Sequence, residues 1–206
     1  MSRPLLISDC DEVLLHMVVP FGQWLDEAHD IRFDYDTGDF TEALKHKATG
    51  APVAGPEIWP LLKRFFETEM HRQMPINGAV AAINALSAHA DVVILTNLTD
   101  DVRTARAEQL RAVGIDFPVF TNQGGKGELL AKIIADYQPS IAVFVDDLPH
   151  QHASVAQVMP DVWRVHMVGE PRLAPHVKTP KTAHVRIDDW ASAQGWIMDR
   201  FEGVAA

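Results

Sequence analysis

The sequence predicts an α/β fold: a Rossmann-like, mostly parallel sheet with helices on both faces and a small α-helical insertion near its start. Three observations carry that expectation. Short apolar runs alternate with amphipathic helical stretches over most of the chain, the pattern of strands joined by crossover helices. Several of those runs end in polar residues, where open sheets of this class gather their function. Between about residues 16 and 76 the rhythm breaks into helical pieces around a turn-rich stretch.

In chain order, Pro4 to Ser8 is the first strand, an apolar run too short for a helix. "FGQWLDEAHD" and "IWPLLKRFFETEMHRQ" follow as helical pieces on either side of "ATGAPVAGPE". The main rhythm resumes with the amphipathic "NGAVAAINALSAHA" and the strand Asp91 to Leu95. "DDVRTARAEQLRAVG" is a helix closed by Gly114 as its C-terminal cap, and Pro118 to Phe120 is the next strand. "GELLAKIIADY" then precedes the strand Ile141 to Val145, and two further runs, Val162 to Val168 and His184 to Ile187, flank a long surface loop, "GEPRLAPHVKTPKT". Residues 1–15 and 77–206 are therefore expected to form the α/β core, and residues 16–76 the insertion.

Composition narrows the function classes. With 206 residues and 47% apolar side chains, the chain can bury the core of one domain carrying an insertion. A formal charge of −10, with no long run of Lys or Arg, argues against nucleic acid and anionic membrane surfaces as partners. No run approaches the ~18 apolar residues of a membrane span, and the apolar stretch before Asp9 is only a few residues long, so a cytoplasmic protein is expected. Cys10 is the sole cysteine; no internal disulfide can form, and a small buried hydrophobe is its expected role.

The polar residues at strand ends form a constellation. Asp9 and Asp11 follow the first run, Thr96 and Asn97 follow "VVIL", and Asp146 and Asp147 follow "AVFV". In a parallel sheet those ends share one edge, where four carboxylates would repel one another or drive one another's pKa values up. A divalent cation relieves this, and carboxylate oxygens without soft ligands favour Mg²⁺. Lys126, after the Gly124-Gly125 turn, brings a positive charge to the same edge. A hydroxyl, a lysine, a hard metal and a free carboxylate are the groups that phosphoryl transfer uses.

These residues, in this order, resemble the haloacid dehalogenase (HAD) superfamily of phosphohydrolases: "ISDCDEVL", "VVILTN", "GGKGELL" and "VFVDDLPHQ" stand where its four motifs are expected, with Lys126 20 positions before Asp146. The resemblance implies a HAD-like core, a helical cap inserted after the first motif and a Mg²⁺-dependent hydrolase of a small phosphorylated metabolite. It implies Asp9 as the nucleophile that forms an aspartyl-phosphate and as a metal ligand. Asp11 would be the general acid and then base, its backbone carbonyl also on the metal. Thr96 and, more weakly, Asn97 would hold the phosphoryl oxygens, Lys126 would offset charge, and Asp146 with Asp147 would complete the metal shell. Asp11 points to phosphate chemistry, because the superfamily's dehalogenases do not need an acid there. Two positions depart from the family pattern: Glu12 stands where Gly is common, and Gln151 where Asn or Asp often follows the acidic pair.

Other readings fit less well. A phosphorylatable receiver domain would place its acceptor Asp before the Thr and the Lys, whereas here the second acidic pair follows Lys126. A nucleotide-triphosphate loop fails at "FTNQGGKGE", which lacks the first Gly and has Gly127 at the Ser or Thr position. A catalytically silent HAD-like binding protein, and a phosphomutase or dehalogenase of the same superfamily, stay as alternatives. His150 and His152, two apart, do not share a helix face as metal ligands would. Trp24, Trp59, Phe65 and Phe66 are expected as the insertion's own core. The sequence singles out neither one substrate nor an oligomeric state.

Overall fold

A computed structural model describes residues 2–203. Strand β1 (Leu5–Ser8) leads to helix α1 (Val18–Ala28), strand β2 (Ile31–Phe33), the one-turn helix α2 (Phe40–Ala43), strand β3 (Leu44–His46) and helix α3 (Gly55–Thr68). Then come α4 (Ala79–Ser87), β4 (Asp91–Thr96), α5 (Arg103–Ala112), β5 (Val119–Thr121), α6 (Gly127–Tyr137) and β6 (Ala142–Asp146). The chain continues through α7 (Pro149–Val158), β7 (Trp163–His166), β8 (Val185–Arg186) and α8 (Trp190–Phe201).

The sheet has six parallel strands in the order β5-β4-β1-β6-β7-β8. The period-two alternation of strand side chains divides its apolar residues between two faces. Leu6, Val92, Ile94, Val143, Val145 and Val165 pack against α4, α5 and α8; Leu5, Ile7, Val93, Leu95 and Phe144 pack against α6 and α7. After β1 the chain builds β4 and β5 on one side and crosses back to build β6 on the other, so a crevice opens at the carboxyl end of β1.

The segment after β1 has an apolar cluster of its own, including Phe21, Trp24, Leu25, Phe33, Leu44, Ile58 and Phe65, joined by Leu98 and Val102 from the loop after β4. Contrary to the expectation from periodicity, it is not wholly helical. β2 and β3 form an antiparallel pair, with Ile31 opposite His46 and Phe33 opposite Leu44. Three-residue strands are too short to show a period, and this pair forms because Ile31, Phe33 and Leu44 bury together beneath α1. Trp59 also departs from expectation: it is 58% exposed, while Trp24, Phe65 and Phe66 are buried. Among the described residues, no helix is long and apolar enough to cross a membrane.

Candidate active site

Because β4 and β6 flank β1, the residues that end these three strands meet. Asp9 continues the β1 ladder by one bond, its N–H donating to the Val145 carbonyl at 2.8 Å. The chain then turns, with the Leu14 and Leu15 N–H groups both donating to the Cys10 carbonyl at 2.8 and 2.9 Å. Asp9, Asp146 and Asp147 each offer a carboxylate oxygen to one point, all within 4.8 Å of one another. The Lys126 Nζ lies 2.7 Å from Asp9 Oδ1 and 2.6 Å from Asp146 Oδ2, and its side chain is buried. Burial pushes the Asp9 carboxyl up to about 7 despite Lys126, with Asp146 and Asp11 adding to the rise. Burial, then Asp146, Asp9 and Glu12, hold the Asp147 carboxyl well above its ordinary range. Burial alone would lower the Lys126 pKa, but Asp146 and Asp9 outweigh it and keep the ammonium charged. One lysine thus faces three converging carboxylates, a donor set of hard oxygens that fits a divalent cation.

That excess of negative charge gives an expected result. Asp147→Asn should raise the melting temperature of chelator-treated protein by several degrees at pH 8, at about 2–4 °C per kcal/mol for a chain of this size. An acid whose folded pKa is raised weakens the fold as pH climbs above its unfolded value toward its folded one, and Asp147, held well above 3.8, is such an acid. The gain should therefore be smaller at pH 5 than at pH 8. Thermal melts at both values check this, and an unchanged or lower midpoint at pH 8 would contradict it.

Asp11 is placed differently. Its carboxylate lies outside the three-carboxylate cluster and accepts from Arg106 Nη2 at 3.0 and 3.1 Å and from Gln73 Nε2 at 2.7 Å. The Thr96 hydroxyl is 3.4 Å from its other oxygen. Arg106, on α5, is fully buried; it also donates to Cys10 Sγ at 3.3 Å and lies over the Phe66 ring at 5.4 Å. Burial pushes the Cys10 thiol up, so Cys10 is the buried, neutral side chain expected of it. Sequence reasoning missed Arg106 and Gln73: both sit in segments read only for helical period, and nothing local marks a residue that reaches Asp11 from 95 or 62 positions away.

The two departures from the family pattern have structural roles. Glu12 has a left-handed backbone (φ 60°), which costs a non-glycine residue about 1 kcal/mol. Its side chain turns that geometry to use: Oε1 accepts from the Met17 and Val18 N–H groups, each at 2.7 Å, fastening the start of α1 to the end of β1. Gln151 fixes the lysine loop, its Oε1 accepting from the Lys126 N–H at 2.8 Å and its Nε2 donating to the Gly124 carbonyl at 3.0 Å. Gly127, next in line, sits so close to α7 that a Cβ would lie 2.4 Å from the Ser154 carbonyl oxygen. Asn97 is exposed and ties the same loop from the other side, donating to the Gly124 carbonyl at 2.9 Å.

Two histidines stand behind the acidic pair. His152 and His166 are buried, and their Nε2–H groups donate to the carbonyls of Asp146 at 3.0 Å and Asp147 at 2.8 Å. Burial lowers both pKa values, which keeps the rings neutral. His150, by contrast, is exposed and lines the cavity above the site. Helical spacing separates His150 from His152 as expected; that His152 and His166 brace the backbone of the acidic pair was not legible in spacing.

No protein-family model matches the chain, and no curated protein does. Solved structures do. YfnB of Bacillus subtilis, described as a HAD-hydrolase and solved bound to magnesium, superposes with a TM-score of 0.65 at 16% identity, over 96% of this chain and 99% of that one. A predicted phosphoglycolate phosphatase from Haemophilus somnus gives 0.61 at 13% identity, over 94% and 97% of the two chains. The chain has the HAD fold. An L-2-haloacid dehalogenase is similar to the same degree, with a TM-score of 0.61 at 11% identity over 96% of this chain and 100% of that one. These neighbours span more than one chemistry, so the likeness carries the fold alone.

Proposed function

We propose that the chain is a Mg²⁺-dependent phosphohydrolase that acts on a small phosphomonoester through an aspartyl-phosphate, with residues 16–76 as its cap. The observation that carries this reading is the convergence of Asp9, Asp146 and Asp147 within 4.8 Å beside a buried Lys126. A phosphate dianion cannot approach three carboxylates uncompensated, so a site that takes one needs the divalent cation this donor set fits. Asp9, Asp146 and Asp147 would hold Mg²⁺, which when bound supplies the charge that keeps these carboxylates ionised and offsets that of the phosphate.

The chain's own residues account for the rest. An Asp9 oxygen attacks phosphorus, the bond from phosphorus to the leaving oxygen breaks, and that oxygen takes a proton from Asp11. A water then attacks phosphorus and gives a proton to Asp11, the bond to Asp9 breaks, and inorganic phosphate leaves. Lys126 faces Asp9 throughout and offsets the charge gathering on the phosphoryl oxygens. Asp11 meets only donors where it stands, so delivering a proton requires it to leave Arg106 and Gln73. Gln73 also donates to the His16 carbonyl at 3.2 Å, so the link between cap and core and the position of Asp11 are joined through one amide.

Hydrolysis of phosphomonoesters should appear with Mg²⁺, vanish with a chelator and return when Mg²⁺ is restored. Undiminished turnover by metal-free protein would overturn the reading. The Asp11–Arg106 pair favours one second reading, dehalogenation, because it holds Asp11 as an acceptor and that chemistry needs no acid there. Release of chloride from a 2-chloro acid without added metal would select it.

A further inference from the structure

The site opens into a cavity of about 1380 Å³ between the cap and the carboxyl edge of the sheet, with Asp9, Asp11, Lys126 and Asp147 in its lining. Away from these groups much of its wall is apolar: Phe40, Trp59 and Phe66 from the cap, Leu98 and Leu148 from the loops after β4 and β6, and Val177 from the long loop before β8. Trp59 and Leu148 are 58% and 39% exposed, two of the three large apolar side chains exposed among the described residues, and both face this one space. The loop that carries Val177 closes down on the cap hairpin, where a Cβ on Gly38 would lie 2.4 Å from the His176 carbonyl oxygen.

Polar groups in the cap's part of the wall are already engaged. Lys63 pairs with Glu67, Asp34 with Lys45 at 2.6 Å, and Asp39 accepts from the Thr41 N–H at 2.8 Å to cap α2. Against the cap's side of the cavity a sugar's hydroxyls would trade water for few free partners, whereas a hydrocarbon loses nothing by leaving water. We propose that the substrate is the phosphomonoester of a bulky, largely apolar alcohol, its phosphate at Asp9 and its hydrocarbon against Trp59, Phe66 and Leu148. This rests on the phosphohydrolase reading of the same site.

Non-hydrolysable phosphonates separate the two. Titration calorimetry of the whole chain with Mg²⁺ and methyl-, butyl- and octylphosphonate should show affinity rising about three- to fourfold per methylene over the first several carbons, the gain from burying each in an apolar wall. Trp59→Ser and Leu148→Ser alter exposed positions and should each cut the octyl-to-methyl affinity ratio about tenfold. Equal affinity along the series would overturn the inference, as would tighter binding of a glycerol-type phosphonate than of octylphosphonate. Because binding is read without turnover, a clear chain-length slope in a protein that hydrolyses no phosphomonoester would uphold the ligand class and reject the catalytic reading.

Discussion

Asp9→Asn is expected to lower kcat for any phosphomonoester by about 10⁵-fold or more, the scale seen when a covalent nucleophile is removed. An amide in place of the carboxylate cannot form the bond to phosphorus, and phosphoenzyme trapped by acid quench should disappear with it. Asp11→Asn is the contrasting case: phosphoenzyme should still form, more slowly, with turnover down by roughly 10² to 10⁴, as for a general acid-base. The neutral amide introduced by Asp9→Asn also removes a charge that burial, and then Asp146, disfavour, so the metal-free variant should melt above the parent at pH 8. Stability gained while chemistry is lost separates a nucleophile from a residue that holds the fold together. Normal turnover by a folded Asp9→Asn protein would exclude the covalent route.

Arg106→Met should show the largest change in stability. Arg106 is wholly buried, and its pairing with Asp11 at 3.0 Å leaves Asp11 only slightly accessible to water. Methionine of similar length keeps most of the packing against Phe66 and Cys10 but leaves the Asp11 carboxylate without its cation, with the neutral Gln73 amide still donating to it. Breaking a buried pair on one side costs about 3 kcal/mol or more, which for a chain of this size lowers the melting temperature by roughly 6–12 °C. Adding Asp11→Asn should recover most of that loss, because the uncompensated charge goes with it. Thermal melts of the two single variants and the double variant measure the coupling, and an Arg106→Met protein that melts with the parent would show that the pair contributes nothing.

Much of the architecture was legible because it follows from short-range periodicity. The runs ending at Ser8, Leu95 and Val145 are too short for helices and too apolar for loops, and "GELLAKIIADY" coincides with α6. The β2–β3 hairpin was not legible, since strands of three residues do not define a period. At the site, Asp9, Asp11, Thr96, Lys126, Asp146 and Asp147 could be nominated because a parallel sheet brings the ends of its strands to one edge. That rule states which residues share an edge; it does not state which way each side chain turns.

The sequence by itself determined the parallel α/β sheet and the acidic residues at its carboxyl edge, because alternation along a strand and the polarity of a strand end are properties of neighbouring residues. Only the tertiary structure decided that Asp11 turns to Arg106 and Gln73 while Asp9, Asp146 and Asp147 converge. It likewise decided that Glu12 fastens α1, that Gln151 fixes the Lys126 loop, and that His152 and His166 brace the acidic pair. Most of these contacts join groups 19 to 95 positions apart. Their partners are chosen by where helices α5 and α7 and strand β7 come to rest on the sheet, and no local pattern in the chain encodes that distance.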